Sequence, residues 1–173
     1  MKDQFVELSL PTRDGQFIAR YSEKGLAEMD FPNGSAGLPL GLDARQRVPA
    51  NVSRWHRSTE AALNRMLAGR AAKDLPPLDL SGGTEFQQAV WRELCKIVPG
   101  QTRSYGEVAQ AIGKPKAVRA VGGACGANPI PVLIPCHRVL AAHGKIGGFG
   151  GGLDWKRRLL AREGIKLVDS DGL

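Results

Sequence analysis

The sequence predicts a mixed α/β (α+β) chain: a small β-sheet with one helix in its front half, then a mainly helical back half containing a helix-turn-helix. Three observations predict it. Apolar and polar residues alternate in three short runs before residue 32, which is strand spacing. Two sequences of the form Ser/Thr-x-x-Glu/Gln open apolar stripes of helical period after residue 83. Two of the later helical stretches are separated by a turn of four residues that includes a glycine.

The first run is Phe5, Val6, Glu7, Leu8, Ser9 and Leu10. Asp14-Gly15 is a strong turn pair, and Phe17, Ala19 and Tyr21 alternate after it, which predicts a hairpin. Residues 26–31 read as a third strand. Proline and glycine punctuate residues 32–52 and predict a long connection. From residue 53 to 70, Ala61, Leu63, Met66 and Leu67 suggest a helix. Residues 71–83, with Pro76-Pro77 and Ser81-Gly82-Gly83, predict a linker. The expected division is a β-sheet scaffold domain over 1–80 and a second domain over 84–168. No chemistry is expected from the front half, which contains no cysteine.

In the back half, Thr84 and Gln87 fit a capping box, and Phe86, Val90, Leu94 and Ile97 form a stripe that Pro99-Gly100 closes. Ser104 and Glu107 fit a second box, with Val108, Ala109 and Ile112 expected inward and Gly113 as the stop. Gly113-Lys114-Pro115-Lys116 leads into a helix carrying Ala117, Val118, Ala120, Val121 and Ala124, which Asn128-Pro129 ends. Lys114, Lys116 and Arg119 stand at the mouth of that helix. The pair matches a helix-turn-helix, and many helical hairpins share the pattern. Gly122, Gly123 and Gly126 lie inside the second helix, each at a cost of up to about 1 kcal/mol relative to Ala. Such a helix keeps one face bare, either for packing on a neighbouring helix or for approach to a nucleic-acid backbone. Asp154 is placed to cap a last helix, with Trp155, Leu159 and Leu160 inward and Lys156, Arg157, Arg158 and Arg162 on a solvated face. Cys95 and Cys125 are expected to pack as small apolar groups, and His56 and His143 show no partner.

A chain of 173 residues, 42% hydrophobic and 24% charged, can bury a core and is not expected to be disordered. No apolar run reaches the roughly 18 residues of a membrane span. Residues 1–5 show no signal-peptide core, so a cytosolic location is expected. Three cysteines without C-x-x-C spacing predict neither a disulfide framework nor a metal site. The net charge of +7 is uneven: 11 basic and 10 acidic residues up to residue 83, then 13 and 7. The excess in the back half suits a polyanionic partner, and equally a charge that serves only solubility.

Residues 130–140 deliver a cysteine between a proline and a histidine at the end of an apolar run. A thiol attacks only as thiolate, and an imidazole can take its proton while a carboxylate holds the imidazole's tautomer. Read alone, Cys136 fits a small core residue at least as well as a nucleophile. The run Ile134-Pro135-Cys136-His137-Arg138, however, resembles the O6-alkylguanine-DNA alkyltransferases (methylated-DNA–protein-cysteine methyltransferases), whose signature is Pro-Cys-His-Arg after an apolar run. The similarity runs from about Thr84 to Gly164 and includes Phe86-Gln87, Val90-Trp91, Ser104-Tyr105-Gly106, Arg119-Ala120-Val121-Gly122, Asn128-Pro129, Leu159-Leu160 and Glu163-Gly164.

That resemblance implies a DNA repair protein without cofactor or metal. It would transfer the alkyl group of O6-alkylguanine, and of O4-alkylthymine, from double-stranded DNA to its own cysteine by base flipping, once and irreversibly. Cys136 is then the nucleophile and acceptor, His137 a base acting through water, and Glu163 the group that orients and charges it. Tyr105 donates a hydrogen bond to the leaving guanine. Arg119 fills the gap left by the flipped nucleotide, and Asn128 ties the helix-turn-helix to the active-site segment. Lys114, Lys116 and Gly122 join the DNA-binding set, with the second helix in the minor groove. Val139, Phe149 and Gly150 belong to the base pocket. Many relatives carry tyrosine at Phe149 and some serine at Gly150, so contacts from those hydroxyls are absent here. The glycine-rich stretch 147–152 lacks the register of a phosphate loop and reads instead as a flexible wall beside the base. The resemblance also implies a monomer outside the membrane, with cooperative binding on DNA left open. Two other readings compete: a helix-turn-helix regulator or damage sensor without chemistry, and a thiol hydrolase using Cys136, His137 and Glu163.

Overall fold

The computed structural model describes residues 5–32, 47–149 and 151–168. Gly150 of the expected pocket and most of the 32–52 connection lie outside the described residues. The front half is an antiparallel meander of β1 (Val6–Thr12), β2 (Gly15–Ser22) and β3 (Gly25–Asp30), in that spatial order. Asp14-Gly15 turns the first hairpin as expected, with Gly15 at φ +114°. The period-2 pattern puts Leu8, Leu10, Phe17, Ala19, Tyr21 and Met29 inward. Helix α1 (Ala50–Leu67) presents Val52, Thr59, Ala62, Leu63, Met66 and Leu67 to the core. Ala62, not the expected Ala61, is the buried alanine, and Ala61 faces solvent. His56, without a partner in the sequence, meets the Tyr21 hydroxyl at its Nδ1 at 2.9 Å.

The expected linker is an added strand-like segment. Leu26 donates to the Pro77 carbonyl and Asp79 donates back to Leu26, each at 2.8 Å, so the stretch covers part of the free edge of β3. Gly25, at φ +150°, is required there, since a Cβ would stand 2.2 Å from the Pro77 oxygen.

The back half runs α2 (Glu85–Leu94), β4 (Arg103–Ser104), α3 (Tyr105–Ala111), α4 (Val118–Gly126), a 3-10 turn (Cys136–Arg138), β5 (Val139–Leu140) and α5 (Leu153–Arg162). Both capping boxes form as predicted, at Thr84/Gln87 and Ser104/Glu107. The inward face of α4 is Val121, Ala124 and Cys125, whereas the expected Val118 and Ala120 are exposed. Ile112 is half-buried, Cys95 is exposed at the end of α2, and Asp154 sits in the first turn of α5 behind a Gly152 N-cap. The parallel pairing of β4 with β5 sets Ser104, the cap of α3, beside the residues that follow Cys136.

One core joins the two halves. Trp155 of α5 packs on Phe17 and Phe31 with ring centroids 5.7 and 4.8 Å apart. The Arg162 guanidinium holds Asp14 at 2.6 and 2.8 Å and donates to the Leu67 carbonyl. No helix among the described residues is long and apolar enough to cross a membrane.

Candidate active site

Pro135 leads into the 3-10 turn Cys136–Arg138, whose three residues are all buried. On such a turn consecutive side chains need not oppose one another as they do on a strand. Asn128, just past α4, donates from Nδ2 to the Ile134 carbonyl at 2.8 Å and to Cys136 Sγ at 3.1 Å. Its Oδ1 accepts from the Ile130 amide at 3.0 Å. One side chain thus ties the end of α4 to the segment that carries Cys136.

The third member arrives from α5. Glu163 caps that helix and places Oε1 3.0 Å from His137 Nε2, with both side chains buried. The same carboxylate accepts from Arg138 Nε at 3.0 Å to each oxygen and from Nη2 at 2.8 Å. Arg138 Nη1 also donates to the Ile97 carbonyl. The partnership of Arg138 with Glu163 is absent from the sequence reading. The front half fixes the end of α5 that carries Glu163. A Cβ on Gly69, at φ +76°, would stand 2.2 Å from the Arg162 oxygen, so only glycine lets the end of α1 approach so closely.

Burial raises the Cys136 thiol above its ordinary pKa, partly offset by Asn128 and Lys156. Burial likewise lowers His137, against the pull of Glu163. Burial pushes Glu163 up, but hydrogen bonds from His137 and Arg138 outweigh it and hold the acid below its usual value. The resting pair is therefore a thiol beside a neutral imidazole, with Glu163 ionised. Glu163 can only accept, so Nε2 carries the imidazole proton. The lone pair is then on Nδ1. Among the described residues, Nδ1 is the only buried side-chain nitrogen or oxygen without a partner.

Cys136 opens on a cavity of about 390 Å³. Its back-half walls include Cys125, Asn128, Pro131, Phe149 and Gly151. Residues 28–31 of the front half form another wall. Tyr105, at the start of α3, is half-buried beside the loop, and a Cβ on Gly147 would lie 3.0 Å from its hydroxyl. Burial and the neighbouring Cys125 and Cys136 raise its pKa, so the phenol keeps its proton. Val139 is wholly buried on β5 and is not on the cavity wall.

Residues 85–165 match the model of the 6-O-methylguanine DNA methyltransferase DNA-binding domain. A methylated-DNA–protein-cysteine methyltransferase of Methanosarcina barkeri is 39% identical over 152 residues, covering 86% of this chain and 90% of that one. This chain belongs to the methylated-DNA–protein-cysteine methyltransferase family. The Methanosarcina acetivorans member is 49% identical over 155 residues, 87% of this chain and 92% of that one. The crystal structure of Mycobacterium tuberculosis OGT in complex with DNA superposes with a TM-score of 0.70 at 36% identity, covering 90% of each chain.

In this family member, Lys114, Lys116 and Arg119 are exposed around the turn before α4 and make no ion pair among the described residues. A Cβ on Gly122, Gly123 or Gly126 would meet nothing within 4 Å outside the local helix backbone. Among the described residues, the bare face of α4 thus meets no neighbouring helix.

Lys156 overturns an expectation. Placed with Arg157 and Arg158 on a solvated face by sequence, it is fully buried. Its Nζ donates to the Val139 carbonyl at 2.7 Å and to the Gly148 carbonyl at 3.2 Å, tying β5 to the glycine-rich loop. Burial lowers its pKa to about 8. Lys156→Met keeps the length and removes the charge. It is expected to slow alkyl uptake by about tenfold, because the buried ammonium that favours the Cys136 thiolate is lost. Its pH signature has a definite sign. The folded pKa lies below the unfolded one, so between about pH 8 and pH 10.5 the unfolded chain binds more protons and this lysine adds stability as pH rises. Urea midpoints should shift in favour of wild type over Lys156→Met across that window, and parallel curves would contradict the buried ammonium.

Proposed function

We propose that this protein repairs DNA by moving the alkyl group of O6-alkylguanine, and of O4-alkylthymine, onto Cys136 in a single irreversible turnover. One observation carries the reading. Glu163 claims Nε2 of His137, the residue after the cysteine, and so leaves a buried, unpartnered Nδ1 as base. Cys136 Sγ–H gives its proton to that nitrogen through a bridging water, and Asn128 and Lys156 support the thiolate. Sulfur attacks the alkyl carbon and the C–O6 bond breaks with its electron pair on guanine. Tyr105 donates a hydrogen bond to the developing anion, which takes up one proton, equivalent to the one the thiol gave to His137, and leaves as a neutral base. The thioether has no water-driven exit, which makes the reaction stoichiometric. At rest the thiol stays protonated, so the cysteine is protected from chance electrophiles until a base enters.

A stacked guanine cannot reach a buried thiol, so the nucleotide must flip, at a cost of a few kcal/mol. Lys114, Lys116 and the open glycine face of α4 supply phosphate and minor-groove contacts, and Arg119 fills the gap. Residues 84–168 carry DNA binding and transfer, while residues 1–80 support them. The protein works as a cytoplasmic monomer on double-stranded DNA. Incubation with duplex DNA containing O6-methylguanine should add one methyl mass to the Cys136 peptide, and catalytic turnover would refute the reading. For Arg119→Ala, single-turnover repair of duplex should slow at least tenfold, while reaction with free O6-benzylguanine is unchanged. Equal slowing of both would reject gap filling.

A further inference from the structure

Phe31 is the front-half residue with the firmest seat on the cavity wall. It directly follows β3, whose Met29 amide donates to the Pro129 carbonyl at 2.9 Å and so ties the strand to the segment after α4. Three rings hold Phe31 in place: Phe17 at 5.5 Å, Trp155 at 4.8 Å and Phe149 at 5.8 Å, the last edge-on. The glycine-rich loop lies directly against it, and a Cβ on Gly151 would stand 2.5 Å from the Phe31 ring. A ring packed this way cannot swing aside, because cores pack like crystals and aromatic neighbours fix its orientation. The cavity of about 390 Å³ lies toward the lower end of the roughly 300–1,000 Å³ usual for a ligand site. A purine bearing a large substituent therefore competes with this ring for space, whereas a methyl does not.

We infer that Phe31 sets the upper size of the alkyl group that Cys136 accepts, through direct occupation of the cavity and through its contact with Gly151. The inference rests on the cavity being the alkylguanine site. It gives the front half a role in substrate choice that is distinct from support.

The test is a pair of single-turnover rates, with DNA carrying O6-methylguanine and with DNA carrying O6-benzylguanine, for wild type and Phe31→Leu. The benzyl-to-methyl ratio should rise roughly tenfold in Phe31→Leu, the scale set by a few carbon atoms in an apolar pocket. A second measurement does not depend on that variant being as stable as wild type. Gly151→Ala should slow methyl transfer in the wild-type background and be restored by Phe31→Leu, because the clash needs both side chains. An unchanged ratio, or Gly151→Ala defects that simply add to those of Phe31→Leu, would overturn the inference while leaving methyl uptake at Cys136 standing. A wild-type protein that takes up no methyl overturns the functional reading and this role together.

Discussion

A Cys136→Ser protein should bind damaged duplex DNA as wild type does and gain no mass from it. Serine keeps the side chain's shape, and Asn128 Nδ2, now 3.1 Å from sulfur, can meet a hydroxyl as well. A serine hydroxyl is far less acidic than a thiol, and His137 has no extra basicity to compensate, since burial holds its pKa down. The proposed phosphate and gap-filling contacts, Lys114, Lys116 and Arg119, lie on α4 and the turn before it and are untouched by the substitution, so affinity and its salt dependence should persist. Intact-mass spectrometry and gel shift at two salt concentrations measure both halves of this expectation. Cys125 is the informative control, because it lines the same cavity. Burial and the nearby Cys136 push its thiol up to about 12, so it stays protonated and should remain unmodified. Methyl on Cys125 in the serine variant would show that the cavity, rather than the Cys136 setting, selects the acceptor.

Glu163→Gln should be the most damaging substitution outside the cysteine, and it should hurt stability as well as chemistry. The carboxylate is shared by His137 and Arg138, and all three side chains are buried. Glutamine keeps one acceptor oxygen, replaces the other with a donor NH2 and carries no charge to balance the guanidinium. Breaking one member of a buried pair costs about 3–5 kcal/mol, a large fraction of a small protein's stability. Loss of the group that fixes the imidazole tautomer should slow transfer by about a hundredfold or more. Rates belong at a temperature where circular dichroism shows the variant folded. The pH dependence follows from the lowered pKa of Glu163. Its folded value lies below its unfolded one, so its contribution is complete above about pH 4.5 and is lost as pH falls through the folded value. The stability gap between wild type and Glu163→Gln should narrow on acidification. A gap that is the same at pH 7 and pH 4 would mean that the ionised carboxylate is not what holds Arg138.

Much of this was readable from spacing. Both capping boxes came from pairs three residues apart, because the hydrogen bonds concerned close within one helical turn. The three strands followed from alternation, and Cys136, His137, Asn128 and Glu163 from their resemblance to a family motif. Spacing failed where the partner comes from elsewhere in the chain. Lys156 looks like Arg157 and Arg158 in sequence, yet it is buried because β5 and the glycine-rich loop bring it two carbonyls. Arg138 reads as part of a motif, and only the fold shows that it shares Glu163 with His137. The exposed Val118 and Ala120 show the converse, since small or apolar residues on α4 face outward where no element among the described residues covers that helix.

The amino-acid order by itself determined the elements and their caps, because each depends on contacts within a turn or a strand, and the resemblance to a family motif singled out Cys136 and His137. Which groups line the reactive cavity, which lysine loses its water and which helix face stays open were decided only by tertiary packing. Those properties depend on what distant segments deliver to one place, and no local period in the chain encodes that.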